Sequence, residues 1–320
     1  MKVSVLITTY NQEGFIAQAV GSALMQKVDF PYEIVIGEDA STDQTREIVL
    51  EFARKYPDKV CVLLRDAVAA RRDRVAGLGG KGSFVNCLAA CKGEYVALLD
   101  GDDYWTSPHK LQRQVDFLDQ HPEFAISFHK AKIVYADMTQ SPNPPLPQPE
   151  VLSLEDLLVA NPMAACSVVF RRGLFGELPD WFDRVALGDW AIHIMNAQHG
   201  KIGCINETMA AYRLHAGGMW PSLSPVGQRF EMIKLLDHVD SYLGRKYRNQ
   251  INAAKAVWYR QLASIYFEQG KQLKGKYYQL KSYWLRGFKS AQQRFPSFMR
   301  RQLAALYAPI GNLISRGGTR

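Results

Sequence analysis

Asp100-Gly101-Asp102-Asp103 sets three carboxylates within four residues, directly after the apolar run Tyr95-Val96-Ala97-Leu98-Leu99. A run of that length and character reads as a buried strand. Carboxylates crowded at a strand tip repel one another and are costly to strip of water, and a bound divalent cation is the simplest compensation. An acidic turn capping the helix after Ser107-Pro108 is the competing reading, but one carboxylate suffices for a cap. The tetrad is therefore read as a place for a metal ion and a diphosphate.

The elements around it must bring other polar residues to the same place. Residues 3–8, 32–37, 60–64 and 94–99 are strand-like. Residues 12–25, 42–56 and 83–91 carry apolar positions at helical spacing, such as Phe15, Ile16, Ala19, Val20 and Ala23. Alternation of this kind predicts an α/β fold with a mostly parallel sheet between helices. Ligands of such sheets gather at the carboxyl ends of the strands. Thr8-Thr9-Tyr10-Asn11, Glu38-Asp39 and the tetrad all fall at those ends, so three polar clusters point at one crevice. Further on, residues 110–120 and 189–199 read as helices, and 125–135, 166–171 and 202–214 as strands. Residues 141–149 hold five prolines and can be neither helix nor central strand. Beyond Pro225 the pattern is wholly helical, which predicts a first domain over 1–224 and a helical extension over 225–320. Tyr259, Leu262, Ala263, Tyr266, Gly270, Gly275 and Ser282 are spaced like one tetratricopeptide-type hairpin.

Composition narrows the class. A chain with 47% hydrophobic and 22% charged residues is globular, not disordered. Its net charge of +8 is uneven: residues 225–320 carry 18 Lys and Arg against 4 Asp and Glu, leaving the first 224 with a balance of −6. Nucleic acid is not the expected partner of that basic region, because no nucleic-acid module accompanies it. A helical cap over residues 253–288, followed by an amphipathic interfacial anchor over 295–314, is the reading adopted, with peripheral membrane contact as its consequence. The aromatic residues Tyr277, Tyr278, Tyr283, Trp284, Phe288, Phe295 and Phe298, with Met299, are interleaved with its Lys and Arg. Five cysteines without paired short spacing suit a reducing compartment, and Cys87 and Cys91 read as buried helix residues, not zinc ligands. With no signal peptide and no run of 18 apolar residues, the expected location is cytoplasmic, on the inner face of the membrane.

The three blocks, together with Gly93-Glu94-Tyr95 before the tetrad, resemble glycosyltransferase family 2 over about residues 1–220. The resemblance implies the GT-A fold and an inverting sugar transfer from a nucleotide-diphosphate sugar. It places Thr8 and Tyr10 against base and ribose, and makes Asp39 the carboxylate that reads the base. An acceptor there suits the imide N–H of uracil or thymine, so a UDP or dTDP donor is expected. Glu38 stands where the family usually has Asp.

The tetrad corresponds to the family's DXD motif, with Asp102 on the metal and Asp100 on ribose or a metal-bound water. Magnesium and manganese both suit oxygen ligands. Leu187-Gly188-Asp189-Trp190 resembles the segment that carries the catalytic base, which assigns that role to Asp189. The acidic residue common before the base is Gly188 here. Tyr212-Arg213-Leu214-His215-Ala216-Gly217-Gly218 resembles the segment after the base, with His215 completing metal coordination and Arg213 pairing with diphosphate. Residues 65–82, with Arg65, Arg71, Arg72, Arg74 and Lys81, depart from the family and read as a solvated basic loop without a site. The acceptor implied is a glycan or lipid-linked species in surface polysaccharide synthesis. A sugar nucleotidyltransferase is the alternative enzyme, although residues 3–11 lack its glycine-rich loop; a DxD-type phosphatase would want its nucleophilic Asp after the first strand. A non-catalytic nucleotide-binding module is the remaining alternative.

Overall fold

A computed structural model describes residues 1–135, 139, 151–215 and 217–286. Residues 141–149 and the segment 295–314, with Phe288, Phe295, Phe298 and Met299, lie outside the described residues. The elements run β1 (Val3–Thr9), α1 (Ile16–Leu24), β2 (Tyr32–Glu38), α2 (Thr45–Lys55), β3 (Val60–Leu64), α3 (Ala67–Val75), α4 (Lys81–Ala90) and β4 (Tyr95–Asp100). Then come β5 (Tyr104–Trp105), α5 (Lys110–Gln120), β6 (Phe124–Tyr135), β7 (Val151–Leu152), α6 (Leu154–Val159), β8 (Val169–Arg171), α7 (Gly188–Ala197) and β9 (Lys201–Leu214). α8 (Met219–Ser222), α9 (Pro225–Tyr242), α10 (Arg248–Glu268) and α11 (Gln272–Arg286) complete the described chain.

Two compact units divide these elements. The first comprises Met1–Leu146, Glu150–Ser153 and Met163–His215. Its described strands form one nine-stranded sheet, ordered β3-β2-β1-β4-β8-β6-β9-β5, with β7 also paired to β9. β1, β2, β3 and β4 are mutually parallel, as the alternating pattern requires, whereas β8 runs antiparallel between β4 and β6. β6 and β9 are parallel. The result is a mixed, mostly parallel sheet flanked by helices and followed in the chain by a helical region.

The core follows from the sequence pattern. β1 buries residues of both faces because helices cover the sheet on both sides, and Val3, Val5 and Ile7 pack with Ile16, Ala19 and Val20 of α1. Leu111, Val115 and Leu118 recur at helical spacing on α5 and are buried in the same cluster. A buried side chain of this size stabilises by about 1.5–3 kcal/mol.

Three expectations shift. Helices expected from residues 12 and 42 begin at Ile16 and Thr45, because the residues before them are committed to interlocked turns. Asn11 N donates to Ser41 Oγ at 3.0 Å, Thr42 N to Asn11 Oδ1 at 2.8 Å, and Gln12 N to Thr45 Oγ1 at 2.8 Å. The strand expected from 166 begins at Val169, after a 3-10 turn at Ala165–Ser167. Residues 65–82 are not a solvated loop. They hold α3, whose Asp66 cap accepts from Val68 N and Ala69 N.

In the second unit, α9, α10 and α11 are the helices expected beyond Pro225. α10 and α11 form a hairpin in which Ser282 Oγ donates to Ala256 O at 2.7 Å and Gly275 abuts the Phe267 ring. Among the described residues, no helix is long and apolar enough to cross a membrane.

Candidate active site

β1, β2 and β4 end level with one another. Thr8 stands beside Asp100, and Thr9 beside Glu38. Main-chain bonds then tie the turns that follow: Asp39 N donates to Thr9 O at 3.0 Å, and Gly101 N to Thr8 O at 2.9 Å. Thr8 Oγ1 donates to Asp100 Oδ1 at 3.3 Å. Asn11 and Ala40 adopt φ of 49° and 60°, a left-handed conformation that costs an L-residue about 1–2 kcal/mol. Such strain concentrates where turns must aim side chains at a site. Gly101 is required by close approach, since a Cβ there would collide with the Thr9 side chain and Gln12 Oε1.

Asp39 is only 1% exposed, and its carboxylate accepts from Arg65 Nη1 and Arg74 Nη1, each at 2.9 Å. Arg74 Nη1 also donates to the Asp39 carbonyl at 2.7 Å, and the same guanidinium lies 4.1 Å from the Tyr10 ring centroid. Tyr10 and Asp39 are thus joined through Arg74. Glu38, fully buried, serves the turn itself: it accepts from Ser41 N and from Arg46 Nε at 2.7 Å. Arg65 and Arg74 both lie in the stretch 65–82, where the sequence predicts no site. The available signal was Asp66 followed by a run of Ala and Arg, a good cap before good helix formers.

At the tetrad, Asp102 Oδ2 lies 2.9 Å from His215 Nε2, both side chains being 16% exposed. Arg213 donates from its main-chain N to Asp103 Oδ1 at 2.8 Å and from Nη1 to the Asp102 carbonyl. Its guanidinium sits 4.4 Å from the Tyr104 ring centroid and 5.1 Å from that of Phe15, which also packs on the His215 ring. β9 therefore delivers Arg213, and the residues directly after it deliver His215, to one side of the tetrad. Burial, then the charges of Asp102 and Asp189, push the Asp100 carboxyl up to about 7. Burial, then Asp102 and Asp100, push Asp103 well above the usual carboxylate range.

A divalent cation fits these residues. The crowded carboxylates destabilise one another's charge, and Asp102 with His215 offers one oxygen and one imidazole nitrogen side by side. Among the described residues, no group of three or more His, Cys, Asp or Glu is arranged to hold a metal. The two protein donors would need completing by substrate or water oxygens, the usual habit of a magnesium site built on one or two carboxylates.

Asp189 occupies the first turn of α7, and its charge contributes to the rise of Asp100, so it lies within electrostatic reach of that carboxylate. Gly188 before it admits Lys81 of α4: a Cβ at 188 would collide with Lys81 Nζ. That buried lysine lies 4.3 Å from the Phe182 ring centroid. Trp190, only 1% exposed, packs into the interior. His193, one turn along α7, is held neutral by burial, its imidazole pushed down to about 4 against the opposing pull of Asp189.

Comparison with known proteins bears on the family and the fold. The family model described as Glycosyl transferase family 2 matches residues 4–177, which include the first three blocks and end before Asp189. An uncharacterised protein of Mycobacterium tuberculosis is 39% identical over 222 residues, covering 69% of this chain and 61% of its own length. The chain thus matches about three-fifths of that relative. The crystal structure of Staphylococcus aureus TarS 1-349 in complex with UDP-GlcNAc superposes with a TM-score of 0.55 at 17% identity, covering 89% of this chain and 92% of that one. In sequence, TarS, a poly(ribitol-phosphate) beta-N-acetylglucosaminyltransferase, is 35% identical over 125 residues, covering 38% of this chain and 19% of its own. The mannosyltransferase PcManGT of Pyrobaculum calidifontis, in complex with GDP-Man and Mn2+, superposes with a TM-score of 0.54 at 17% identity, covering 89% and 84%. With the fold, three blocks at the strand ends and the family match in agreement, the chain belongs to glycosyl transferase family 2.

Proposed function

We propose that the protein is a metal-dependent, inverting transferase that moves a sugar from a nucleotide-diphosphate donor, of the UDP or dTDP type, to a glycan or lipid-linked acceptor in surface polysaccharide synthesis. The observation that carries this reading is the Asp102–His215 pair at the end of β4, beside Asp100, whose carboxyl is raised by burial and then by the charges of Asp102 and Asp189. TarS, crystallised with UDP-GlcNAc and named for a poly(ribitol-phosphate) acceptor, supports both the donor class and a polymer acceptor. PcManGT with Mn2+ supports a divalent cation. The proposed location is the cytoplasmic face of the membrane, where a lipid-linked acceptor could meet a nucleotide-sugar donor.

Each residue has a role in one displacement. Tyr10 offers a ring face to the base, Thr8 and Asp39 polar atoms at its edge, and Asp100 a carboxylate to the ribose. Asp102 and His215 would hold the cation, which when bound would supply neutralisation of charge on the diphosphate. Arg213, positioned by Tyr104 and Phe15, adds a fixed positive charge beside it. Asp189 takes the proton of the acceptor hydroxyl at Oδ as the hydroxyl oxygen attacks the anomeric carbon and the diphosphate departs. A general base contributes about 10²–10⁴-fold to rate.

The test is release of nucleoside diphosphate from UDP-, dTDP- and GDP-sugars with Mn2+, in wild type and Asp189→Asn. The expected result is release from one donor class, falling about 10³-fold in the variant with donor affinity unchanged. Equal release by the variant would remove Asp189 from the chemistry.

A further inference from the structure

α11 turns its large apolar side chains away from the hairpin it belongs to. Gly275 and Ser282 face α10 and are buried, and the Tyr278 ring stacks on Tyr259 and Tyr266 at centroid separations of 5.9 and 5.5 Å. Leu273, Tyr277, Leu280 and Trp284 recur at spacings of four, three and four and are 52–84% exposed. That spacing aligns them in one stripe along the helix. A soluble helix ordinarily does the reverse, burying its Leu and Trp and showing its small polar residues.

Charge says what the stripe fits. Lys274 and Lys281 flank it on one side and Lys276 on the other, and Lys281 Nζ reaches 4.8 Å from the Tyr277 ring centroid. α11 has no acidic residue, and from residue 271 to 320 the sequence has eleven Lys and Arg and no Asp or Glu. A protein partner would present a bounded acidic patch. A bilayer with anionic headgroups presents an extended one, with an apolar layer below it for Leu280 and Trp284 and room for the lysine stems to reach back up. We propose that α11 is a membrane-surface helix, lying in the headgroup region of an anionic bilayer with Leu273, Tyr277, Leu280 and Trp284 inward. This rests on the helix itself and does not depend on the transferase reading.

The experiment is co-sedimentation of the full chain with large unilamellar vesicles of phosphatidylcholine, with and without 30% phosphatidylglycerol, at low and high salt. The expected result is partitioning to anionic vesicles only, lost at high salt, with a blue shift of tryptophan fluorescence. Leu280→Ser/Trp284→Ser should weaken partitioning at least about tenfold. Lys274→Gln/Lys276→Gln should weaken it about thirtyfold, from about 1 kcal/mol per charge. All four positions are exposed, so these variants should keep the wild-type melting midpoint. Three results would overturn the proposal. They are equal binding to neutral vesicles, unchanged binding of the α11 variants (which would move the contact to residues 287–320), and self-association abolished by the same substitutions, which would make the stripe a contact with a second copy.

Discussion

Arg74 donates twice to Asp39, to the carboxylate at 2.9 Å and to the main-chain carbonyl at 2.7 Å, while stacking on Tyr10. The residue expected to read the base is therefore also the anchor of α3. Arg65, its side chain 8% exposed, completes the cluster through Asp39 and Asp73.

Asp39 should accordingly matter to stability as well as binding. Removing one partner of a buried ion pair costs about 3–5 kcal/mol, because the other charge is left without compensation. Asp39→Ala is expected to lower unfolding free energy by about 3 kcal/mol, read from urea transitions without ligand. An unchanged midpoint would mean that α3 is held by other contacts.

Asp102 should behave oppositely. Its charge raises both Asp100 and Asp103, so neutralising it relieves repulsion in the ligand-free protein. Asp102→Asn is expected to raise the melting midpoint modestly, by about 1 kcal/mol in stability, the scale of gain typical when a functional site is relaxed. The same variant should lose any stabilisation by nucleotide and Mn2+. A lower midpoint without ligand would show that the pair with His215 outweighs the repulsion.

Lys110 supplies the pH signature. It is fully buried, its ammonium 4.0 Å from the Trp105 ring centroid and facing Cys166 and His129; burial pushes it down to about 7. The folded value lies below the unfolded 10.5. Its contribution is therefore complete above pH 10.5 and is lost as pH falls through about 7. Lys110→Met, of similar shape, removes that loss. The gap in midpoint between variant and wild type should widen as pH falls from 10 to 6 and then level off. His129, pushed down to about 3 by burial and then by Lys110, titrates below this window. A gap independent of pH would mean that Lys110 stays charged throughout.

Much of this was legible in the sequence, for identifiable reasons. The apolar runs 3–8, 32–37 and 94–99 fixed the parallel strands, and each ended in a polar block, so Thr8, Asp39 and Asp100 could be placed at one edge without coordinates. The antiparallel insertion of β8 could not be read, because a strand of three residues carries no periodicity. Nor could the partners of Asp39. Arg65 and Arg74 reach it from 26 and 35 residues away, and a run of arginines reads as solvated until α3 is seen to turn Arg74 inward, with Arg65 just before its cap. Gly188 looked like the loss of an acidic residue. What lies against it, the Lys81 ammonium from far back in the chain, is set by the tertiary fold.

The central claim, a metal-assisted nucleotide-sugar site, is tested most directly by the melting midpoint with a panel of nucleoside diphosphates, each with and without Mn2+. Ligand binding to the folded state alone raises stability by about 2.7 kcal/mol at a hundred times Kd. The account predicts a rise with one uridine or thymidine diphosphate, only when Mn2+ is also present, and none in Asp102→Asn. No response to any diphosphate would contradict it and leave the tetrad an acidic turn before α5; a response to triphosphates alone would point to nucleotidyl transfer instead.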